Sequence, residues 1–157
     1  MGYCRGRVSE RPLRGGVVRA RGGPLSELAT SGESARGPLD RYVSTLVDAA
    51  ARGAEEKLGI DVIALDLRDL VDFYDVLVIA SGRNDRQVRS IAEEVERRVD
   101  LILGVRPLRV EGISDAQWIA IDYGDVIVHV FDESTRDYYD LEHLWNAARV
   151  LRPEPTP

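Results

Sequence analysis

The chain has 157 residues, of which 44% are hydrophobic and 31% are charged, a composition typical of one folded domain with a buried core. No apolar run approaches the roughly 18 residues of a membrane span and the N-terminus lacks the apolar core of a secretory signal, so we expect a cytosolic protein. Cys4 is the only cysteine, and with two histidines it offers neither a zinc-ligand spacing nor a nucleophile and base pair. We therefore expect no catalysis, metal or cofactor.

Charge is unevenly distributed along the chain. Residues 1–38 hold seven arginines and three glutamates, a net charge of +4, whereas the remainder holds 14 basic and 24 acidic residues, a net charge of -10. An acidic domain is repelled by nucleic acid phosphates but attracted to a basic protein. The sequence therefore favours a protein partner over direct, sequence-specific nucleic acid binding.

Both ends of the chain are expected to be loosely structured. Residues 1–37 contain eight of the fourteen glycines and almost no periodic apolar pattern, so we predict a disordered Arg/Gly-rich leader. Its origin is open between a flexible arm, a start codon assigned too far upstream and an organellar transit peptide. Prolines 153, 155 and 157 predict a flexible tail over 151–157, leaving 38–150 as the folded domain.

One helix and two strands open the folded part. The helix begins near Pro38 to Asp40 and ends at Gly59, because apolar residues recur between them at helical spacing: Leu39, Val43, Leu46, Val47, Ala50, Ala54 and Leu58. Strands are predicted over 62–67 and 74–80. The second strand is uninterruptedly apolar, which predicts a central position in the sheet.

A capped second helix and a short strand come next. Asn84 followed by Gln87 predicts the helix start, and the buried stripe is Val88, Ile91, Val95 and Val99. The charged residues on its other face, Arg86, Arg89, Glu93, Glu96 and Arg97, are interpreted as a solvated surface without a site. After Gly104, a strand over 106–110 is expected to return parallel to the central strand through a right-handed crossover.

A hairpin is predicted from strands 117–122 and 125–131 around a two-residue turn of Tyr123 and Gly124. That register places Asp122 opposite Asp125 and Trp118 opposite His129, with Ile119, Ile121, Val126 and Val128 together on a core face. The two carboxylates either cap turn amides or await a basic group of a partner, and the pattern leaves both readings open.

The last predicted element is a third helix. It opens at Ser134 with Asp137 in the capping-box position, and its inward stripe is Tyr138, Leu141, Leu144, Trp145 and Ala148. Tyr139 lies on the outward face and, as an exposed aromatic near acidic residues, suits protein recognition. The fold class is α/β (α+β), a small mixed sheet of about five strands packed with three helices.

Three blocks of sequence carry a resemblance to a known family. They are 75–82 leading into 85–88, the run from Trp118 through 122–125 to His129, and Arg136, Tyr139, Leu141, Glu142 and Trp145. In order and spacing they resemble the RsfS/Iojap ribosomal silencing factors over 39–150. The resemblance implies a nucleotidyltransferase-like fold without catalytic residues, docked on large-subunit ribosomal protein fourteen. It also implies that the small subunit is kept from joining when nutrients are short.

Two other functions compete with this one. A nucleotidyltransferase is disfavoured, because Ser81 and Gly82 resemble a phosphate-binding turn but the next strand lacks paired carboxylates for magnesium. A ribosome biogenesis or RNA-binding accessory factor would use the Arg-rich leader. For the docking role we predict partner contacts at six residues: Trp118, Asp122, Tyr123, Asp125, His129 and Tyr139. An open apolar sheet edge is compatible with a homodimer.

Overall fold

The computed structural model describes residues 36–152, without the side chain of Arg152. Residues 1–35 of the predicted leader, including Cys4, and the prolines of the tail lie outside the described residues. In chain order the elements are α1 (Arg41–Glu56), β1 (Ile60–Asp66), β2 (Val76–Gly82), α2 (Asp85–Leu103), β3 (Arg109–Glu111), β4 (Trp118–Asp122), β5 (Val126–Asp132), α3 (Glu133–Tyr139), α4 (Leu141–Leu144) and β6 (Arg149–Arg152).

The strands form one mixed sheet in the order β3-β4-β5-β2-β1-β6. β2 and β5 run parallel, and every other neighbouring pair is antiparallel. All seven residues of β2 are buried, which confirms its predicted central position. The predicted α+β fold is confirmed, with six strands where the sequence indicated about five.

Helices α1 and α2 cover one face of the sheet and begin where their caps predict. The Asp40 side chain accepts a hydrogen bond from the Tyr42 backbone N–H, and the Asn84 side chain accepts one from the Gln87 backbone N–H. The predicted stripe of α2 is buried, as is most of the stripe of α1. Leu39, which precedes α1, is half-buried, and Leu58 is 79% exposed because it follows the end of α1 in a left-handed conformation.

The core is divided by the sheet into a large and a small cluster. The large cluster packs α1 and α2 against residues such as Val78, Ile121 and Val128. The small cluster on the other face is built on Leu65, Leu67, Leu77, Ile79 and Phe131, with Leu141, Trp145 and Ala148 packed against it. Val71 and Tyr74 from the segment before β2 also pack on this second face, where the residues of β4 and most of those of β5 are half-buried rather than buried.

The predicted parallel return of strand 106–110 is wrong. Only Arg109–Glu111 is extended, and it pairs antiparallel with β4 at the edge of the sheet. The place beside β2 is taken by β5, which pairs with it along seven residues. The physical reason is burial, since β5 alternates buried and half-buried apolar residues whereas β3 is charged and largely exposed.

The predicted single third helix is also wrong. Asp140 adopts a left-handed conformation that ends α3, and its side chain accepts a hydrogen bond from the His143 N–H at the start of α4. The break changes the helical phase, so Tyr138 and Leu144, predicted to point inward, are 82% and 66% exposed. β6 then pairs with β1 and extends to Arg152, within the segment predicted as a tail.

Candidate protein-docking site

The hairpin of β4 and β5 has a different register from the predicted one. Asp122 lies opposite Ile127, and the turn is formed by Gly124 and Asp125 between Tyr123 and Val126. The Asp122 carboxylate accepts a hydrogen bond from the Gly124 N–H at 2.8 Å, and Gly124 has a φ of 92°. This local capping moves the turn by one residue and shifts the pairing by two.

A shift of two residues leaves every side chain on its predicted face. The predicted core residues Ile119, Ile121, Val126 and Val128 are all buried. Trp118, His129 and Asp122 accordingly remain together on the second face, although Trp118 lies opposite Phe131 rather than His129. Asp122 and Asp125 are therefore not cross-strand neighbours, as the predicted register required.

Four rings on the second face form what we call the aromatic cluster, namely Trp118, His129, Phe131 and Tyr139. Trp118 stacks on buried Phe131 with centroids 5.0 Å apart, and its other neighbour, Tyr139, lies 4.7 Å away. The Trp118 Nε1–H donates to His129 Nδ1 at 2.7 Å. Tyr139 is 48% exposed, so the cluster extends from the small core to the surface.

His129 is neutral in this environment. Burial lowers its pKa to about 4, and the hydrogen bond accepted by Nδ1 assigns the ring proton to Nε2. The ring can therefore offer a partner one N–H donor and an apolar surface but no positive charge.

The two aspartates of the predicted contact set lie at the hairpin turn and are half-buried. Asp122 caps the Gly124 N–H and also accepts a long hydrogen bond, 3.4 Å, from the Tyr74 hydroxyl. The Asp125 backbone carbonyl accepts from the Asp75 N–H at 2.7 Å, which ties the turn to the segment before β2. The capping reading is thus correct for Asp122, which ends β4 at the turn while Trp118 begins the same strand.

Tyr123 does not present a surface. Its side chain is only 7% exposed and belongs to the large core on the opposite face of the sheet. Its hydroxyl has no hydrogen-bond partner among residues 36–152, and burial raises its pKa. Its predicted place among the contact residues required the Tyr123–Gly124 turn, and with the turn shifted we assign it to packing.

Arg136 belongs to the third block of the resemblance, and its hydrogen bonds join neighbouring elements of the fold. Its guanidinium donates to Glu142 Oε1 at 2.6 Å, to Ser81 Oγ at 2.8 Å and to the Asp61 carbonyl at 2.9 Å. These bonds fasten α3 to the ends of β1 and β2. Ser81 is consequently engaged by Arg136 at the place where the sequence resembles a phosphate-binding turn.

The described part of the chain offers neither a metal-binding cluster nor a membrane-spanning helix. Within residues 36–152 no three His, Cys, Asp or Glu side chains are grouped so as to hold a metal ion. In the same range no helix has the length and apolarity needed to cross a membrane.

The comparison with protein families shows to which family the chain belongs. The model of the family described as "Ribosomal silencing factor during starvation", RsfS, matches residues 41–156. The chain belongs to the RsfS family. The match spans both strands of the hairpin and α3, so the aromatic cluster lies on the RsfS domain itself.

Individual relatives agree with the family match. The ribosomal silencing factor RsfS of Bacillus subtilis is 36% identical over 104 residues, which cover 66% of this chain and 87% of that protein. A crystal structure of a Chromobacterium violaceum protein has a TM-score of 0.64 at 32% identity, covering 73% of this chain and 90% of its own. A mouse protein named "Mitochondrial assembly of ribosomal large subunit protein 1" is 25% identical over 128 residues, 78% of this chain and 56% of that protein.

Proposed function

We propose that this member of the RsfS family binds the large ribosomal subunit in the cytoplasm and prevents the small subunit from joining. The observation that carries the proposal is the half-buried second face of β4 and β5, where the rings of Trp118, His129 and Tyr139 lie together and the hairpin turn adds the carboxylates of Asp122 and Asp125. Partly buried aromatic rings beside charged groups are typical of protein interfaces. The protein acts by occupying a surface, without catalysis, metal or cofactor.

The proposed docking surface has five residues from the predicted set: Trp118, Asp122, Asp125, His129 and Tyr139. The rings supply the apolar contact, and the two carboxylates favour basic side chains of the partner. The partner we propose is large-subunit ribosomal protein fourteen, as the family resemblance implies. The charge of -10 on residues 39–157 favours encounter with a basic ribosomal protein.

Co-sedimentation of the full chain with isolated large subunits tests the docking surface. Tyr139→Ala removes a half-exposed ring and is expected to weaken binding about tenfold, as for an aromatic interface contact. Asp48→Asn is the matched control, because Asp48 is exposed on α1, on the other side of the sheet. Equal binding of wild type and Tyr139→Ala would remove this surface from the proposal.

A role in ribosome assembly is the second candidate, favoured by the name of the mouse relative. In that role the Arg-rich leader would contact ribosomal RNA. A chain lacking residues 1–35 separates the two functions. Loss of subunit binding with the leader, together with unchanged binding of Tyr139→Ala, would favour the RNA-binding role over protein docking.

We also propose a homodimer as a resting form. β3 and β6 are edge strands, and both leave backbone groups on their outer side that can pair with a second copy. Analytical ultracentrifugation of the free chain tests this proposal. A single monomeric species at micromolar concentration would contradict it.

A further inference from the structure

A groove of about 510 Å³ opens next to the aromatic cluster, between the loop of residues 112–117 and α3. Its size is within the range of sites that hold a small ligand or a partner's side chains. It is continuous with the proposed docking surface, because Trp118 and Tyr139 contribute to its wall. The groove therefore extends that surface beyond the residues of the predicted contact set.

One wall of the groove is aromatic. Tyr139 packs on Trp118, and Tyr138 meets Tyr139 edge to face with centroids 5.1 Å apart. Tyr138 is 82% exposed, so its ring presents itself to the groove and to solvent rather than to the core. Faces of aromatic rings attract cations through their quadrupole.

The opposite wall carries a carboxylate on a well-anchored loop. Asp115 lines the groove, and the loop on which it lies is held by Arg89, which donates to the carbonyls of Ile113 and Ser114 at 3.2 Å and 2.8 Å. The Gln117 carbonyl also accepts from the Asp132 N–H at 2.9 Å. Both walls are thus formed before a partner binds, which lowers the entropy lost on association.

We propose that this groove binds an arginine side chain of the ribosomal partner, with the guanidinium between Asp115 and the ring of Tyr138. An acidic occupant would be repelled by Asp115, and a purely apolar one would desolvate that carboxylate without compensation. Arginine suits the site better than lysine, because a planar guanidinium both stacks on a ring and pairs with a carboxylate. This assignment rests on the proposed function.

Binding of isolated large subunits by groove variants of the full chain is the first test. Asp115→Asn and Tyr138→Leu should each weaken binding about fivefold, the size expected for an exposed ion pair or a cation–π contact. The loss for Asp115→Asn should shrink at high salt, because screening weakens the same pair in the wild type. Asp48→Asn should bind as the wild type does, and circular dichroism should show all three variants folded.

Wild-type affinity in both groove variants, with weakened binding in Tyr139→Ala, would overturn the groove assignment and leave the proposed function standing. Failure of the wild type itself to bind large subunits would overturn both.

A second test probes the free chain without the ribosome. Titration with arginine amide should shift the backbone NMR resonances of Thr135 and Tyr138, whereas citrulline amide, a neutral analogue of the same shape, should leave them in place. Equal shifts with both probes, or none with arginine amide, would overturn the choice of arginine.

Discussion

At the scale of single residues, two buried polar arrangements on the described chain have lowered pKa values for different physical reasons. Burial alone would raise the pKa of Asp66, but the hydrogen bonds and charge of Arg68 lower it instead. Arg68 also donates to the carbonyls of Gly37 and Pro38, so the pair fastens the segment that precedes α1. His129 has no such compensating charge, and burial lowers its pKa to about 4.

Because His129 is buried in its neutral form, the folded protein should lose stability in mildly acidic solution. Its unfolded form takes up a proton near its ordinary pKa of 6.5, whereas the folded form resists protonation down to about 4. The free energy of unfolding should therefore fall as the pH drops from 6.5 to 4, by up to about 3 kcal/mol from this group. Denaturant unfolding of the wild type and of His129→Gln at several pH values gives the slope of the free energy of unfolding against pH. The same slope in both proteins would contradict the assignment.

Removing one partner of the buried Asp66–Arg68 ion pair should lower the free energy of unfolding substantially. Asp66→Ala leaves a buried guanidinium without its carboxylate and should destabilise the fold by about 3 kcal/mol. Asp66→Ala combined with Arg68→Leu should recover part of that loss, because no charge is then stranded. Thermal unfolding of the two variants checks the order, and a double variant less stable than Asp66→Ala would contradict it.

Asp122 shows how the observed register changes an expectation about stability. If it faced Asp125, its removal would relieve repulsion and stabilise the free protein. Because it caps the Gly124 N–H instead, Asp122→Ala should cost about 1 kcal/mol. Denaturant unfolding gives the sign directly, and a stabilised variant would contradict the capping geometry.

At the scale of elements, the starts of α1 and α2 and the central strand could be predicted because their signals are local. Asn84 caps through its own side chain, and β2 is apolar throughout. The predicted start of the third helix at Ser134 is wrong, because Asp132 caps α3 by accepting from the Thr135 N–H. The hairpin register could not be predicted, because a Tyr123–Gly124 turn and a Gly124–Asp125 turn both contain a glycine. The break at Asp140 could not be predicted either, because Tyr138, Leu141 and Trp145 keep helical spacing across it. Exposure of Tyr138, and with it the groove, followed from that break.

The two glycines on either side of β3, Gly104 and Gly112, should differ sharply in the cost of adding a side chain. A Cβ on Gly112, whose φ is +88°, would lie 1.9 Å from the Trp118 carbonyl oxygen, whereas one on Gly104, whose φ is +64°, meets no atom within 4 Å. Gly104→Ala should therefore cost only the left-handed strain of about 1 kcal/mol. Gly112→Ala should cost more than about 3 kcal/mol, because backbone must also move. Equal unfolding midpoints would contradict this.

At the scale of the whole molecule, the two faces of the sheet have different roles. The face under α1 and α2 contains the larger core, while the other face has a small core and a half-buried region beside the hairpin. The sequence indicated which residues share that second face, because a two-residue register shift preserves the faces. The sequence did not show that Tyr123 is buried, because the predicted turn contained Tyr123, whereas in the structure its side chain lies in the core on the opposite face of the sheet.

The central claim is that this second face, once bound to the large subunit, keeps the small subunit away. Isolated large and small subunits should be mixed with the full chain and separated on a sucrose gradient. The wild type and Asp48→Asn should lower the fraction of joined ribosomes and migrate with large subunits, while Tyr139→Ala should leave more ribosomes joined. An unchanged joined fraction in the presence of saturating wild type would contradict the claim.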